Sequence, residues 1–204
     1  MWTIDKGLLQ WDGRAVEQMP SRNTGGAFAA SPRIAVMHFT AGGSARSSAQ
    51  WFASPQNTNS SAHVVIERDG SVIQCVKFGM VAWHAGKSSW GKLSGLNHYA
   101  IGVELANWGA LQAHNGMWLN TAGKPIADPV LAVHCNGNPD GSKQPIGWEP
   151  YPEAQFDAAV ALVGALREAY GIKEIVGHDD IAPGRKSDPG PAFDMARFRK
   201  LVLG

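Results

Sequence analysis

Seven histidines punctuate the chain. Two of them end short β-type runs: His38 in Arg33-Ile-Ala-Val-Met-His-Phe39, and His178 after Glu174-Ile-Val-Gly177. Ligands in open α/β sheets gather beyond the carboxyl ends of strands, so two strand-end imidazoles can converge on one point. After His178 the chain runs Asp179-Asp-Ile-Ala-Pro-Gly-Arg-Lys-Ser-Asp-Pro-Gly-Pro191, a segment turned by its Pro and Gly residues. In extended chain, residues two apart face the same way, so Lys186 and Asp188 project to one side. The loop can bend Asp188 back toward His178. Two imidazoles and a carboxylate make a catalytic-zinc ligand set with a fourth position open to water. Water held there has a pKa of about 7 and supplies hydroxide at neutral pH. The same residues fit a plainer role, with His38 hydrogen-bonded in a core and Asp188 capping a turn. Spacing alone leaves both readings open.

Glu104 is the next candidate. In Ala100-Ile-Gly-Val-Glu-Leu-Ala106, strand alternation sends Ile101, Val103 and Leu105 to one face and Gly102, Glu104 and Ala106 to the other. Small neighbours leave room around the carboxylate, as a pocket floor would. A partly buried Glu has a raised pKa, which suits a general base. An ordinary solvated strand face has the same pattern. Lys186 beside a ligand position could stabilise an oxyanion, or pair with a carboxylate at the surface. Trp83-His84 fits a packed aromatic pair or a cleft wall. His63 starts a strand and fits either the cleft or a supporting position behind it. His98 and His114 sit among polar loop residues. Gly86-Lys87-Ser88 resembles the end of a phosphate-binding loop, but Val81 stands where the first glycine is required. His134 and Cys135 are adjacent, and neighbouring side chains rarely share one ion.

The elements that must position these residues can be read from the pattern. The runs at 33–39 and 100–106 and the short 174–177 read as strands. Asp69-Gly70 between His63-Val-Val-Ile-Glu-Arg68 and Ser71-Val-Ile-Gln-Cys-Val76 predicts a hairpin. A short helix is expected over 47–53, ended by Ser54-Pro55. Phe156, Val160, Val163, Leu166 and Tyr170 share one helical face, with Pro152 in the first turn and Gly171 at the C-terminal cap. Phe193, Phe198, Leu201 and Val202 suggest a terminal helix. Residues 1–31 read as an irregular lead-in. Residues 107–150 hold neither period and read as a long loop insertion, an ordered lining containing or flanked by Trp90, Trp108, Trp118 and Trp148. The expected fold is mixed α/β: a central mixed sheet of about five to six strands flanked by helices, in one domain over 1–204.

Composition narrows the function classes. The 204 residues include 18 Lys plus Arg and 17 Asp plus Glu, a net charge of +1. No basic cluster relieves that balance, so a dedicated nucleic-acid binder is excluded. Apolar residues make up 44%, which argues against disorder. Two cysteines, Cys75 and Cys135, rule out a disulfide-dense framework and could pair or stay free. No run is long enough for a membrane span. Met1-Trp-Thr-Ile-Asp-Lys lacks the basic start and apolar run of a signal peptide, which points to a cytoplasmic location. Monomer is the default expectation.

Five ordered motifs carry a family resemblance: Met37-His-Phe-Thr-Ala-Gly42, Ser61-Ala-His-Val-Val-Ile-Glu-Arg-Asp-Gly70, Ala82-Trp-His-Ala-Gly86, Asn97-His-Tyr-Ala-Ile-Gly-Val-Glu-Leu105, and Gly177-His178 with Ala182-Pro-Gly-Arg-Lys-Ser-Asp-Pro-Gly-Pro191. Over about 33–198 the chain resembles the zinc N-acetylmuramoyl-L-alanine amidases, a group that includes phage lysozyme-like amidases and peptidoglycan recognition proteins. The resemblance implies zinc held by His38, His178 and Asp188. It implies hydrolysis of the amide between the lactyl group of N-acetylmuramic acid and L-alanine of the stem peptide. Glu104 would be the base, Lys186 the oxyanion partner, and His63, Trp83, His84 and Asn97 substrate contacts. Recognition proteins and phage enzymes carry cysteine as the third ligand, and the phage type has tyrosine where Ala62 stands. Asp188 and Ala62 therefore resemble the bacterial recycling amidases that act on anhydro-muropeptides. The implied partner is a peptidoglycan fragment or the sacculus. A phage-type endolysin released from the cell and a non-catalytic muropeptide-binding module are the alternatives.

Overall fold

A computed structural model describes residues 1–204. Six strands form the central mixed sheet: β1 (Glu17–Gln18), β2 (Ile34–Phe39), β3 (Val64–Ile66), β4 (Val72–Gln74), β5 (Ala100–Leu105) and β6 (Glu174–Gly177), in the order β6-β2-β5-β3-β4-β1. β2, β5, β3 and β6 run parallel, while β4 folds back antiparallel to β3 across the Asp69-Gly70 turn. The helices are α1 (Ala45–Ala53), α2 (Glu153–Tyr170), α3 (His178–Ile181) and α4 (Met195–Leu203).

Alternation along the strands sorts the two faces of the sheet. Ala35, Met37, Ile101, Val103 and Leu105 join one core with Phe156, Leu162, Val163 and Leu166 of α2 and Phe198 and Val202 of α4. Each fully buried leucine there contributes roughly 1.5–3 kcal/mol. Ile34, Val36 and Ala100 point to the opposite face, against Ala85, Leu96 and Ile181. His38 and Glu104 continue those second-face positions, so both project away from α2. The near-continuous apolar run of β2 is thus a strand buried on both sides.

Local chemistry ends the helices. Ser47 N–H donates to Ser44 Oγ at the start of α1, and Gly171 takes a left-handed conformation at the end of α2. Gln155, fully buried in α2, donates through Nε2 to the carbonyls of Ile66 and Ala106 and ties the helix to β3 and β5.

The expectation of an irregular lead-in is corrected. Trp2–Asp5, Leu8–Trp11 and Arg14–Ala15 form a three-stranded antiparallel sheet. Its turns, Lys6-Gly7 and Asp12-Gly13, have all four residues at positive φ, the geometry of tight hairpins. Trp2 and Trp11 meet edge to face at 4.7 Å. Farther on, Glu17–Gln18 adds the edge strand β1, and Thr24–Ala27 pairs with Met80–Ala82.

The 107–150 segment is ordered. It is built on two ribbons, Gln112–His114 with Met117–Leu119 and Val130–Ala132 with Ile146–Trp148. Trp148 is buried and donates through Nε1 to the Ala132 carbonyl. Glu149 anchors the segment by accepting the Trp108 N–H at 2.6 Å and pairing with Arg68 at 3.2 Å.

Candidate active site

Backbone pairing does most of the work of assembly. His38 stands near the end of β2, directly opposite Glu104 on β5. On its other side β2 pairs with β6, whose last residue, Gly177, leads into His178 at the start of α3. Asp188 returns on the loop beyond α3. That loop is pinned by the Asp179 N–H donating to the Asp188 carbonyl and by the Tyr151 hydroxyl donating to the Pro189 carbonyl, both at 2.8 Å.

The three side chains meet. His38 Nδ1, His178 Nδ1 and Asp188 Oδ2 are each 2.9 Å from the other two. All three residues are buried. The Asp188 carboxyl, though burial pushes it up, is held below the ordinary range by the two adjacent imidazoles. Burial, with the charge of His178, lowers His38 from 6.5 to about 4. On His178, Nε2 faces the Ala85 carbonyl at 3.1 Å, so that nitrogen carries the proton and Nδ1 presents a bare lone pair. A lone pair aimed at a carboxylate oxygen with no proton between them is repulsive unless a cation sits among the donors. The mixed N, N, O donor set is one that divalent transition metals, zinc among them, accept. The residues present therefore fit a metal ion.

These three residues line a cleft of about 420 Å³. Glu104 and Lys186 line it too. Oε2 of Glu104 is shut from solvent and has no hydrogen-bond partner. Burial, reinforced by the Asp188 charge and opposed by Lys186, raises the Glu104 carboxyl well above its ordinary value. A carboxyl with a raised pKa and an oxygen free of any hydrogen bond, on a residue that lines the cleft, can accept a proton.

Of the other residues singled out from the sequence, Trp83 and His84 line the cleft. His63 and Asn97 are not among the residues that line it. His63 is fully buried; its Nε2 donates to the Met80 carbonyl and its Nδ1 accepts the Gly102 N–H. Asn97 Oδ1 accepts the N–H groups of His84 and Ala85 at 3.0 and 2.7 Å. Both residues brace the wall that His84 presents. The room expected beside Glu104 is partly filled, because the imidazole of His84 lies over Gly102.

The cleft also has members that the pattern did not single out: Ser47, Ser48 and Trp51 from α1, and Ser60 and Ser61 from the segment before β3. Trp51 is 51% exposed, an unusual placement for so large an apolar ring. That ring could have been suspected from its position on the polar side of a short helix. Arg185 clamps the 85–87 turn by donating to the carbonyls of Ala85 and Lys87. No residue of 107–150 lines this cleft.

His134 and Cys135 gain a third neighbour, Asp179. Both ring nitrogens of His134 are already engaged, Nε2 with Asp179 Oδ2 at 3.1 Å and Nδ1 with the Asn136 N–H at 3.0 Å. Cys75 and Cys135 are free thiols, the first buried and the second exposed. No helix is long and apolar enough to cross a membrane.

Comparison with known proteins adds a lineage to this geometry. The profile of a family described as N-acetylmuramoyl-L-alanine amidase matches residues 28–191. The chain is 34% identical over 154 residues to the 1,6-anhydro-N-acetylmuramyl-L-alanine amidase AmpD of Escherichia coli strain K12. That match covers 74% of this chain and 63% of the relative, so the chain spans less than two thirds of that relative's length. Among solved structures, a selenomethionine derivative of AmpD superposes with a TM-score of 0.66 at 28% identity, covering 98% of both chains. AmiD of E. coli, in complex with anhydro-N-acetylmuramic acid-L-Ala-D-γ-Glu-L-Lys, superposes with a TM-score of 0.63 at 27% identity. That superposition covers 97% of this chain and 66% of AmiD.

Proposed function

The chain belongs to the N-acetylmuramoyl-L-alanine amidase family, and from that membership we propose that it hydrolyses the amide joining the lactyl group of anhydro-N-acetylmuramic acid to L-alanine of the stem peptide. The relatives supply the substrate class: AmpD is an amidase of 1,6-anhydro-N-acetylmuramyl-L-alanine, and AmiD binds an anhydro-muropeptide. One observation carries the reading for this chain. Three converging donors, His38 Nδ1, His178 Nδ1 and Asp188 Oδ2, stand in the same cleft as the unpartnered carboxylate of Glu104.

In this reading His38, His178 and Asp188 hold zinc. When bound, zinc would polarise the scissile carbonyl and lower the pKa of water beside it. Glu104 removes the proton of the attacking water; its raised pKa lets it hold that proton and return it to the departing alanine nitrogen. Lys186, on the same cleft wall, offers a positive charge to the carbonyl oxygen as it gains negative charge. Trp83 and the exposed ring of Trp51, which both line the cleft, offer flat faces to the substrate.

The test is incubation of the purified protein with anhydro-muropeptides and, in parallel, with intact sacculi, followed by mass spectrometry. Free L-alanyl peptide from the soluble substrate is the expected product. Preferential release from sacculi would instead favour a wall-degrading role. Tight binding of muropeptide with no cleavage by the zinc-loaded protein would leave only a binding module.

A further inference from the structure

We infer that His84 is a positioning residue: by accepting a hydrogen bond from His38 Nε2, it fixes the tautomer in which His38 Nδ1 is bare and turned toward His178 and Asp188. The inference rests on the metal reading above and follows from counting protons. His84 Nε2 lies 3.2 Å from the Ala100 carbonyl, which can only accept. That nitrogen therefore carries the proton of a neutral ring, and His84 Nδ1 is a bare acceptor. The nearest group to it is His38 Nε2 at 3.0 Å. Two ring nitrogens at that distance need one proton between them, and only His38 can provide it. His38 Nδ1 is then left without a proton. In the opposite tautomer, His38 Nε2 and His84 Nδ1 would face each other as two lone pairs, or the Ala100 carbonyl would lose its donor.

The ring of His84 is also seated with little freedom. Its own N–H is held by Asn97 Oδ1 at 3.0 Å. Its face lies on Gly102, where a Cβ would come within 2.4 Å of His84 Cγ. Gly102 is in turn held by donating its N–H to His63 Nδ1 at 3.0 Å. A glycine two residues before Glu104 thus has a specific use: any side chain there would push the imidazole off the Ala100 carbonyl and away from His38. The residues that do not touch the cleft, His63 and Asn97, serve the one that orients a ligand.

The experiment pairs two measurements on wild type, His84→Leu, His84→Asn and Gly102→Ala. Long-range 1H–15N spectra of the metal-free proteins report which nitrogen of His38 carries the proton. Competition with a chromophoric chelator reports zinc affinity. Wild type is expected to show His38 protonated at Nε2. His84→Leu should mix or invert that tautomer and weaken zinc binding about 10- to 100-fold, the usual effect of losing a partner behind a ligand. His84→Asn places an amide oxygen near the position of Nδ1 and should restore the Nε2–H form and most of the affinity. Gly102→Ala should behave like His84→Leu. Wild-type zinc affinity and an unchanged His38 tautomer in His84→Leu would overturn the inference. An Asn variant as impaired as the Leu variant would overturn it too, since packing alone would then explain both. Failure of the metal reading gives a different pattern: no zinc taken up by wild type, with the His38 Nε2–H signal intact.

Discussion

Glu104 and His38 are register partners on adjacent parallel strands, β5 and β2. A single backbone pairing therefore sets the separation of the proposed base from the proposed metal ligand. Neither side chain depends on a mobile loop for its position. Rigid elements hold such constellations more closely than loops do.

Glu104→Gln preserves shape and removes the ability to take a proton. Turnover of anhydro-muropeptide should fall about 10²- to 10⁴-fold, while zinc content measured on the same sample stays at the wild-type level. Activity near wild type would remove Glu104 from the role of base.

The raised pKa of Glu104 has a signed consequence. A base works only when ionised, so kcat should climb with pH through the Glu104 titration. Lys186 pulls that pKa down. Lys186→Met should therefore shift the acid limb of the pH–rate profile to higher pH and also lower the plateau. A limb that stays in place would show that Lys186 does not act on Glu104.

Removal of one donor should empty the site without unfolding the chain. Asp188→Ala is expected to lose zinc and turnover together while keeping a wild-type circular dichroism spectrum. Chelation of wild type should abolish cleavage, and added zinc should restore it. Full activity after exhaustive chelation would sink the metal reading.

The metal-free protein should weaken in acid. Burial lowers His63 from 6.5 to about 4, so between those values the unfolded chain binds a proton that the folded chain refuses. Stability then falls as pH drops from about 6.5 to about 4, by on the order of 3 kcal/mol from this residue, and is level above that window. Urea midpoints across the range measure it. In His63→Gln the decline should be shallower by about one proton's worth.

Trp51 should matter to binding more than to chemistry. Trp51→Ala is expected to raise KM about 2- to 10-fold with kcat nearly unchanged, the scale of one lost aromatic contact. An unchanged KM would mean that the ring does not meet substrate.

Much of this arrangement could be read from residue order. The continuous apolar run of 33–39, the Asp69-Gly70 hairpin and the 3.6-residue face of the helix ending at Gly171 are local signals, and each has a single structural solution. Strand alternation also put Glu104 on the face away from Leu105. Other features depended on contacts distant in sequence. Lys6-Gly7 and Asp12-Gly13 are hairpin signals, but the strands they join are too short and too mixed in polarity to stand out. Whether His63 and Asn97 reached the cleft or stood behind it turned on how Gly102 and the 84–85 backbone pack, which no periodicity encodes. The 107–150 segment has few periodic residues because its ribbons are held by single anchors such as Trp148 and Glu149.

The two imidazoles of the ligand set, 140 residues apart in the chain, are brought together by hydrogen-bonded neighbours β2 and β6, and the carboxylate is drawn in by backbone and tyrosine tethers. None of those bonds involves an ion. The frame of the site is therefore the same set of backbone bonds that holds the sheet, so a change that slid β6 along β2 would scatter the donors as well as open the core.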